Sequence, residues 1–393
     1  MLAECEMVLS TLNCLNRKCT SRATRGRKSW ARALAIMVAV AGVSGNANAE
    51  RPESTRTSES CIAALSQPVK VGQLLLPIVS DPAAASAYAV QGLITGVIAI
   101  GKVDKVRARS YKSLLSKPSP VPLLLASDEE GGTVQRYRTL LGEIPSAQRL
   151  AASRTTEEVE TLFAAYGKKL RSWGVSVVLA PVADVSGGPG IGSRSFSDDP
   201  LVVSAFARAA AKGYLSAGIV PVYKHFPGHG RASADTHKVL ASTPSLKELR
   251  KADLVPYESL KELEGVAVMI GHLAVPGLSE GAPATVSSAV INGLLRRDIG
   301  YAGVVISDAF GMGAIAGYEP IETATIRFVL AGGDVLLLPT LGSVSMIHAS
   351  LLQALKNGTL SSARLNESVR RVLIMKKIDP CAIPTSSPAA SRG

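Results

Sequence analysis

Eight short apolar runs, most of them rich in β-branched residues, recur along the chain. They cover residues 71–79, 93–101, 121–128, 175–182, 219–226, 265–272, 303–308 and 334–339. Apolar residues within each run are nearly continuous rather than alternating with polar ones, which is typical of parallel strands covered on both faces of their sheet. The runs therefore predict eight buried parallel strands.

Segments of helical length and periodicity separate most of these runs. They cover residues 156–173, 200–217, 246–263 and 321–331, and a last one covers residues 363–377. The connection between the first two runs is short and alanine-rich and has only a weak helix signal. Repeated strand–helix units in one chain predict an α/β fold, a single-domain (β/α)₈ TIM barrel, with an open doubly wound sheet as the alternative.

Polar residues at the ends of the predicted strands favour the barrel over the open sheet. Asp128 ends the third run, Lys224 and His225 end the fifth, His272 ends the sixth and Asp308 ends the seventh. In a barrel these carboxyl ends converge on one mouth, where the active site is built. We predict an N-terminal segment over residues 50–69, the barrel over residues 70–378 and a disordered, Pro/Ser-rich tail over residues 379–393.

The first 49 residues have the pattern of a secretory signal peptide. Basic residues between positions 17 and 32 precede an apolar run at residues 33–43, and small residues follow, ending in Ala47-Asn48-Ala49. The apolar run is too short to span a bilayer, which needs about 20 residues. We therefore expect export without stable membrane insertion, to a secreted or extracytoplasmic location associated with the cell wall (periplasmic in a cell with two membranes).

Charge and cysteine content narrow the class of protein further. The formal net charge of +12 falls to about +7 without the leader, and the charges are scattered among few aromatic residues, so nucleic-acid binding gains little support. The sequence leaves the oligomeric state open, with a monomer as the expectation. Only Cys61 and Cys381 follow the leader, and in an oxidising compartment such a pair predicts a disulfide. Two unpaired buried cysteines are the alternative.

Three of the five histidines fall within residues 222–237, VYKHFPGHGRASADTH. Asp235 stands two residues before His237, close enough to hydrogen-bond its imidazole and fix its tautomer. His225 and His229, with His237 or Asp235, are also potential zinc ligands. The helical two-histidine zinc motif is excluded here, because Pro227 and Gly228 lie between the first two histidines. We therefore predict acid–base chemistry and no metal.

Carboxylates and arginines complete the candidate site. Asp308 follows a buried strand, where a carboxylate is costly unless it is paired or functional, and a cap on the next helix is its alternative role. Asp128 begins the sequence DEEGG, which predicts a tight turn, and the two following glutamates are either solvated or paired with arginines. Arg136 lies close behind that turn and Arg194 lies in a glycine-rich loop, and surface positions are the alternative for both.

Six sequence blocks together resemble glycoside hydrolase family 3, and more narrowly its β-N-acetylglucosaminidase branch typified by NagZ. The blocks are KHFPGHG, DTH, DEEGGTVQR, LAPVADV, IGSRSFSDDP and VVISDAFGM. The resemblance implies that Asp308 is the nucleophile, that His237 is the acid/base and that Asp235 is its partner. It also implies that the terminal sugar is held by Asp128, Arg136, Arg194, Lys224 and His225. Glu129 and Ala309 depart from residues that are frequent in the branch.

The resemblance and the leader together predict an exported, cofactor-free, retaining exo-β-N-acetylglucosaminidase that acts on peptidoglycan fragments, the GlcNAc-containing muropeptides. The scarcity of aromatic residues favours removal of one terminal sugar, because long glycan clefts rely on stacked aromatic rings. Three alternatives stay open: a family 3 β-glucosidase, an N-acetylglucosaminide phosphorylase, and a catalytically silent glycan-binding wall protein.

Overall fold

A computed structural model of the protein describes residues 57–384, so the predicted leader lies outside the described residues. Eight parallel strands form one sheet. They are β1 (Leu75–Val79), β2 (Gly96–Ala99), β3 (Leu124–Ser127), β4 (Val177–Val178), β5 (Val220–Phe226), β6 (Ala267–Ile270), β7 (Val305–Ser307) and β8 (Leu336–Leu338). Each strand pairs with its neighbour in the chain from β1 to β7, and β8 pairs with β1. A bridge between Ile306 and Val335 joins β7 to β8. The predicted TIM barrel is confirmed.

Helices cover the outside of the barrel. They are α1 (Ser58–Ala64), α2 (Gln67–Gly72), α3 (Ser86–Val90), α4 (Lys105–Leu115), α5 (Arg138–Leu141), α6 (Ala147–Ser153), α7 (Thr156–Ser172), α8 (Pro200–Ser216), α9 (Leu246–Leu249), α10 (Val255–Glu258), α11 (Gly313–Ala316), α12 (Ile321–Leu330), α13 (Val344–Lys356) and α14 (Ser362–Lys376). A π-helix, Ala289–Asp298, lies between β6 and β7. None of the helices described between residues 57 and 384 is long and apolar enough to cross a membrane.

Two sequence predictions need correction. The single helix expected over residues 246–263 is broken into α9, α10 and a 3₁₀ turn at Ser259–Glu262, since Pro256 fits the first turn of a helix but not its interior. The first apolar run begins inside α2, because a short apolar run does not by itself distinguish a buried helix from a strand. The weakly signalled connection after β1 contains a 3₁₀ turn and the short helix α3.

Two apolar clusters hold the barrel together. Alternate strand residues such as Leu76, Ile98 and Ile306 fill the barrel interior. Their neighbours, such as Leu75 and Val305, pack outward against the helices. Because both faces of every strand are covered, the strands contain no polar alternation, which explains the continuous apolar runs.

The predicted disulfide between Cys61 and Cys381 is present, with the two Cα atoms 5.1 Å apart. It joins α1 to a 3₁₀ turn at Pro380–Ala382. The tail predicted to be disordered from residue 379 is therefore ordered at its start, because the cross-link ties that turn to α1. Residues 385–393 lie outside the described residues.

Candidate active site

A cavity of about 440 Å³ opens at the carboxyl ends of the barrel strands. Seven of the eight predicted catalytic and sugar-binding residues line it: Asp128, Arg136, Arg194, Lys224, His225, His237 and Asp308. The eighth, Asp235, lies behind His237 and hydrogen-bonds its ring. The folded chain thus brings together residues that are spread over 180 positions of sequence.

A second groove, of about 490 Å³, lies at the opposite end of the barrel between α14 and the starts of β3, β4 and β5. Its most buried charge is Lys376, whose Nζ donates to Gln73 Oε1 at 3.0 Å and to the Thr95 carbonyl at 3.1 Å. Burial lowers the pKa of this lysine to about 7. The groove lacks the paired acid and base groups of the mouth, so the mouth is the candidate active site.

Ion pairs fix one side of the cavity, the side predicted to bind the sugar. Lys224 Nζ lies 3.0 Å from Asp128 Oδ1 and 2.6 Å from Glu130 Oε1, and Arg136 Nη2 donates to Asp128 Oδ2 at 2.9 Å. Burial opposes ionisation of Asp128, but Lys224 and Arg136 outweigh it and hold the pKa of Asp128 well below its usual range. Asp128 is therefore an ionised hydrogen-bond acceptor at the cavity.

Glu130 belongs to this network, and its pairing with an arginine is one of the two roles that the sequence left open for it. Both oxygens of Glu130 accept hydrogen bonds from Arg194, from Nε at 2.7 Å and from Nη2 at 2.8 Å. Glu130 thus fixes the guanidinium of Arg194 and the ammonium of Lys224 at the cavity. The signal was visible in the sequence, since an acid two residues after Asp128 on an extended chain points to the same side.

Glu129 points the other way, into the protein. It is fully buried, and it accepts hydrogen bonds from Ser127 Oγ at 2.6 Å, Tyr166 Oη at 2.7 Å and the Tyr137 N–H at 3.2 Å. No cation contacts it among the hydrogen bonds and ion pairs of residues 57–384. Burial raises the pKa of Glu129 to about 7.

We expect Glu129→Gln to stabilise the protein at alkaline pH. Below about pH 4.5 the folded and unfolded chains both bind the proton, whereas between pH 4.5 and 7 only the folded chain retains it, so the free energy of unfolding falls as the pH rises. The full cost, about 3 kcal/mol, is reached above pH 7. Urea unfolding at pH 8 should show most of this gain for the variant, and unfolding at pH 4 should show almost none. An equal gain at both pH values would contradict ionisation as the cause.

Asp184 is a residue that the sequence analysis missed. It lies in the block LAPVADV beyond β4, fully buried. His225 Nδ1 donates to its Oδ2 at 2.7 Å, and the His225 N–H donates to its Oδ1 at 3.1 Å. Burial alone would raise the pKa of Asp184, but His225 and the hydrogen bonds lower it to about 2. Asp184 therefore orients the His225 ring, leaving its Nε2 for the cavity.

The predicted acid–base pair, Asp235 and His237, lies on the loop after β5. His237 Nδ1 donates to Asp235 Oδ1 at 2.8 Å, and the His237 N–H donates to the same oxygen at 3.0 Å. These two bonds lower the pKa of Asp235, the backbone bond most strongly. The His237 side chain is 64% exposed, and its Nε2 is the ring nitrogen left for a substrate.

Asp308 follows β7 at the cavity wall. Its Oδ1 accepts the Ala309 N–H at 2.8 Å, and α11 does not begin until Gly313, so Asp308 does not cap that helix. Burial would raise its pKa, but the nearby His225 and His272 and the Ala309 N–H lower it. His272 itself lies behind the wall, hydrogen-bonded to Thr285 Oγ1 and the Ala309 carbonyl. Asp308 is thus the ionised carboxylate with an oxygen available to the cavity.

The histidine-rich segment is engaged in hydrogen bonds rather than arranged around an ion. His225 contacts Asp184, His229 contacts Thr236 and His237 contacts Asp235. Within residues 57–384, no group of three or more His, Cys, Asp or Glu side chains has the arrangement of a metal site. Each of these three histidine rings is thus hydrogen-bonded to a carboxylate or a hydroxyl group.

Comparison with known proteins identifies the family. Residues 67–375 match the model of the glycosyl hydrolase family 3 N-terminal domain. The chain is 39% identical over 340 residues to the beta-hexosaminidase LpqI of Mycobacterium tuberculosis, covering 84% of this chain and 87% of that protein.

Solved structures share the fold. A glycosyl hydrolase of the GH3 family from Mycobacterium smegmatis superposes with a TM-score of 0.77 at 40% identity, covering 80% of this chain and 98% of that one. A family 3 beta-N-acetylglucosaminidase from Paenibacillus sp. str. FPU-7 superposes with a TM-score of 0.75 at 29% identity, covering 84% of this chain and 65% of that one. The chain described here belongs to glycoside hydrolase family 3.

Proposed function

We propose that the protein is an exported, retaining exo-β-N-acetylglucosaminidase that removes terminal N-acetylglucosamine from peptidoglycan fragments. The observation that carries the proposal is the shared cavity of Asp308 and His237, in which an ionised carboxylate and an Asp235-bound imidazole are both available to one sugar. Cleavage of a glycosidic bond with retention needs a nucleophile at the anomeric carbon and a proton donor at the leaving oxygen.

In the first step Asp308 attacks the anomeric carbon and forms a glycosyl ester as the bond to the leaving oxygen breaks. His237, protonated on both nitrogens, transfers its Nε2 proton to that oxygen while Nδ1–H stays bound to Asp235. Neutral His237 then removes a proton from water, the resulting hydroxide attacks the anomeric carbon, and the Asp308 carboxylate is released. Two displacements at one carbon give net retention of configuration.

The other cavity residues fit the binding of one terminal sugar. Asp128 is an ionised acceptor, and Lys224, Arg136 and Arg194 are donors, so the hydroxyl groups of a sugar find both kinds of partner. Buried polar groups of this kind reject a substrate that lacks the matching hydroxyl or amide. The name beta-hexosaminidase of the mycobacterial relative and the name beta-N-acetylglucosaminidase of the Paenibacillus structure support N-acetylglucosamine as the sugar.

Export and the wall substrate rest on two further observations. The predicted leader over residues 1–49 directs the chain across the membrane. The Cys61–Cys381 disulfide is typical of an oxidising compartment rather than the cytosol. An enzyme outside the cytoplasm that removes N-acetylglucosamine would encounter this sugar in fragments of peptidoglycan, which we therefore propose as its substrates.

We expect the chain from residue 50 onward to hydrolyse 4-nitrophenyl N-acetyl-β-glucosaminide at least about 10²-fold faster in kcat/KM than the corresponding β-glucoside, because the 2-acetamido group provides polar contacts that the glucoside lacks. The assay is run with and without phosphate, and product anomers and sugar 1-phosphate are followed by NMR. Comparable rates on both substrates would favour the β-glucosidase. Formation of sugar 1-phosphate only when phosphate is present would favour the phosphorylase. No turnover of either substrate would favour a silent binding protein.

A further inference from the structure

A buried hydrogen-bond relay, Asp184–His229–Thr236, ends between the two residues of the acid–base pair. The Asp184 Oδ1 accepts the His229 N–H at 2.6 Å, and His229 Nε2 is hydrogen-bonded to Thr236 Oγ1 at 2.8 Å. We propose that His229 and Thr236 are positioning residues, which hold Asp235 and His237 at the cavity. This inference rests on the proposed function, because it assigns the relay to the acid–base step.

The near arm of the loop, residues 228–231, packs against the barrel without any contribution from Asp235 or His237. A Cβ on Gly228, whose φ is +130°, would lie 2.5 Å from Asp253, and a Cβ on Gly230 would lie 1.9 Å from the Val185 carbonyl oxygen. Arg231 also pairs with the buried carboxylate of Asp253. This close packing leaves His229 on a rigid base from which it can fix another part of the loop.

The far arm of the loop, residues 235–237, depends on the relay, because the exposed side chain of His237 has little packing of its own to fix its position. Its side chain is 64% exposed, and the Asp235 side chain that bonds it is 27% exposed. Thr236, between them, is fully buried, and its Oγ1 reaches His229. The Thr236 side chain thus joins an exposed catalytic pair to the protein interior.

Two backbone hydrogen bonds connect the same segment to the loop that carries Asp308. The Ala314 N–H donates to the Thr236 carbonyl at 3.1 Å, and the Gly313 N–H donates to the His237 carbonyl at 3.0 Å. These two bonds hold the backbone of Thr236 and His237 against the loop that carries Asp308. Thr236 lies in a turn closed by the hydrogen bond from the Lys238 N–H to the Asp235 carbonyl at 3.0 Å. The bond of its buried hydroxyl to His229 then fixes which way this turn faces, and with it the directions of Asp235 and His237.

The His229 ring is hydrogen-bonded to Thr236. Its Nδ1 is buried without a hydrogen-bond partner, so Nε2 makes the ring's one hydrogen bond within the described residues. Burial lowers the pKa of His229, which keeps the ring neutral. Asp184 at the base of the relay also orients His225, so one carboxylate organises both a sugar-binding residue and the acid–base loop.

Thr236→Val tests the relay, because it removes the hydroxyl at nearly constant shape. We expect kcat/KM to fall about tenfold for N-acetylglucosaminides with poor leaving groups such as phenol, and by less than about twofold for the 2,4-dinitrophenyl glycoside, which needs no proton. Thr236→Ser retains the hydroxyl and should stay within about threefold of the parent on every substrate. His229→Phe breaks the same bond from the other end and should reproduce the leaving-group pattern of Thr236→Val.

Two controls separate failure of the relay from failure of the proposed function and from misfolding. Product inhibition by N-acetylglucosamine should be unchanged in Thr236→Val, which shows an intact sugar site, and adding Thr236→Val to His237→Ala should give no further leaving-group effect. Equal losses on all substrates in Thr236→Val, with a normal pattern in His237→Ala, would overturn the relay alone. The absence of leaving-group dependence in His237→Ala itself would overturn the proposed function.

Discussion

Replacing Asp308 with alanine is expected to lower kcat/KM for aryl N-acetyl-β-glucosaminides by about 10⁴-fold or more. Asp308 is the cavity carboxylate whose pKa is lowered by His225 and His272 and which has no ion-pair partner among the described residues. The other cavity acids, Asp128 and Glu130, are committed to lysine and arginine and cannot replace it. Initial rates on the 2,4-dinitrophenyl glycoside measure the loss without a contribution from acid catalysis.

The identity of Asp308 as the nucleophile is separable from a purely electrostatic role. Azide added to Asp308→Ala should attack the vacant face of the anomeric carbon and give the α-glycosyl azide, with partial recovery of rate. Asp298→Asn is the matched control, because Asp298 forms ion pairs with Arg250 and Arg297 at the protein surface, and it should keep the parent rate. An active Asp308→Ala variant, or one that yields β-glycosyl azide, would contradict the assignment.

The sequence predicted the barrel and most of the site because both depend on local signals. Eight apolar runs mark strands that are buried on both faces, and a polar residue that ends such a run is expected near the mouth. His272, which ends the sixth run, is the exception, because it lies behind the cavity wall. Asp128, Lys224, His225 and Asp308 were found by this rule, and they all line the cavity. The resemblance to family 3 supplied the roles, which position alone does not give.

The residues that the sequence analysis did not place in the site act through partners distant in the chain. Glu130 bonds Arg194, 64 positions away, and Asp184 bonds His225, 41 positions away. The alternation of an extended chain places Glu130 on the same side as Asp128, but it does not identify Arg194 as the partner, and no such signal exists for Asp184. Both pairings form only when the strand ends are brought together. The broken helix near Pro256 has a local cause and could have been predicted from the proline.

In His237→Ala the loss of kcat/KM should depend on how much the leaving group of the substrate needs a proton. For the 2,4-dinitrophenyl glycoside, which departs without a proton, kcat/KM should change little, whereas for phenyl or saccharide leaving groups it should fall by about 10² to 10⁴-fold. The physical reason is that Nδ1 of His237 is bonded to Asp235, so Nε2 is the ring nitrogen left to donate the proton in the proposed mechanism. A plot of log kcat/KM against leaving-group pKa measures the change as a steeper negative slope.

Azide distinguishes this variant from the nucleophile variant by stereochemistry. In His237→Ala the glycosyl–Asp308 ester still forms, and azide, which needs no general base, attacks it from the opposite face to give the β-glycosyl azide. Asp235→Asn leaves the imidazole in place but removes its charged partner, so its slope should lie between those of the parent and His237→Ala. A uniform loss on all substrates in His237→Ala, without azide rescue, would show that His237 shapes the loop rather than transferring the proton. The opposite anomers of azide from the two variants would locate the nucleophile and the acid/base on opposite faces of one bound sugar.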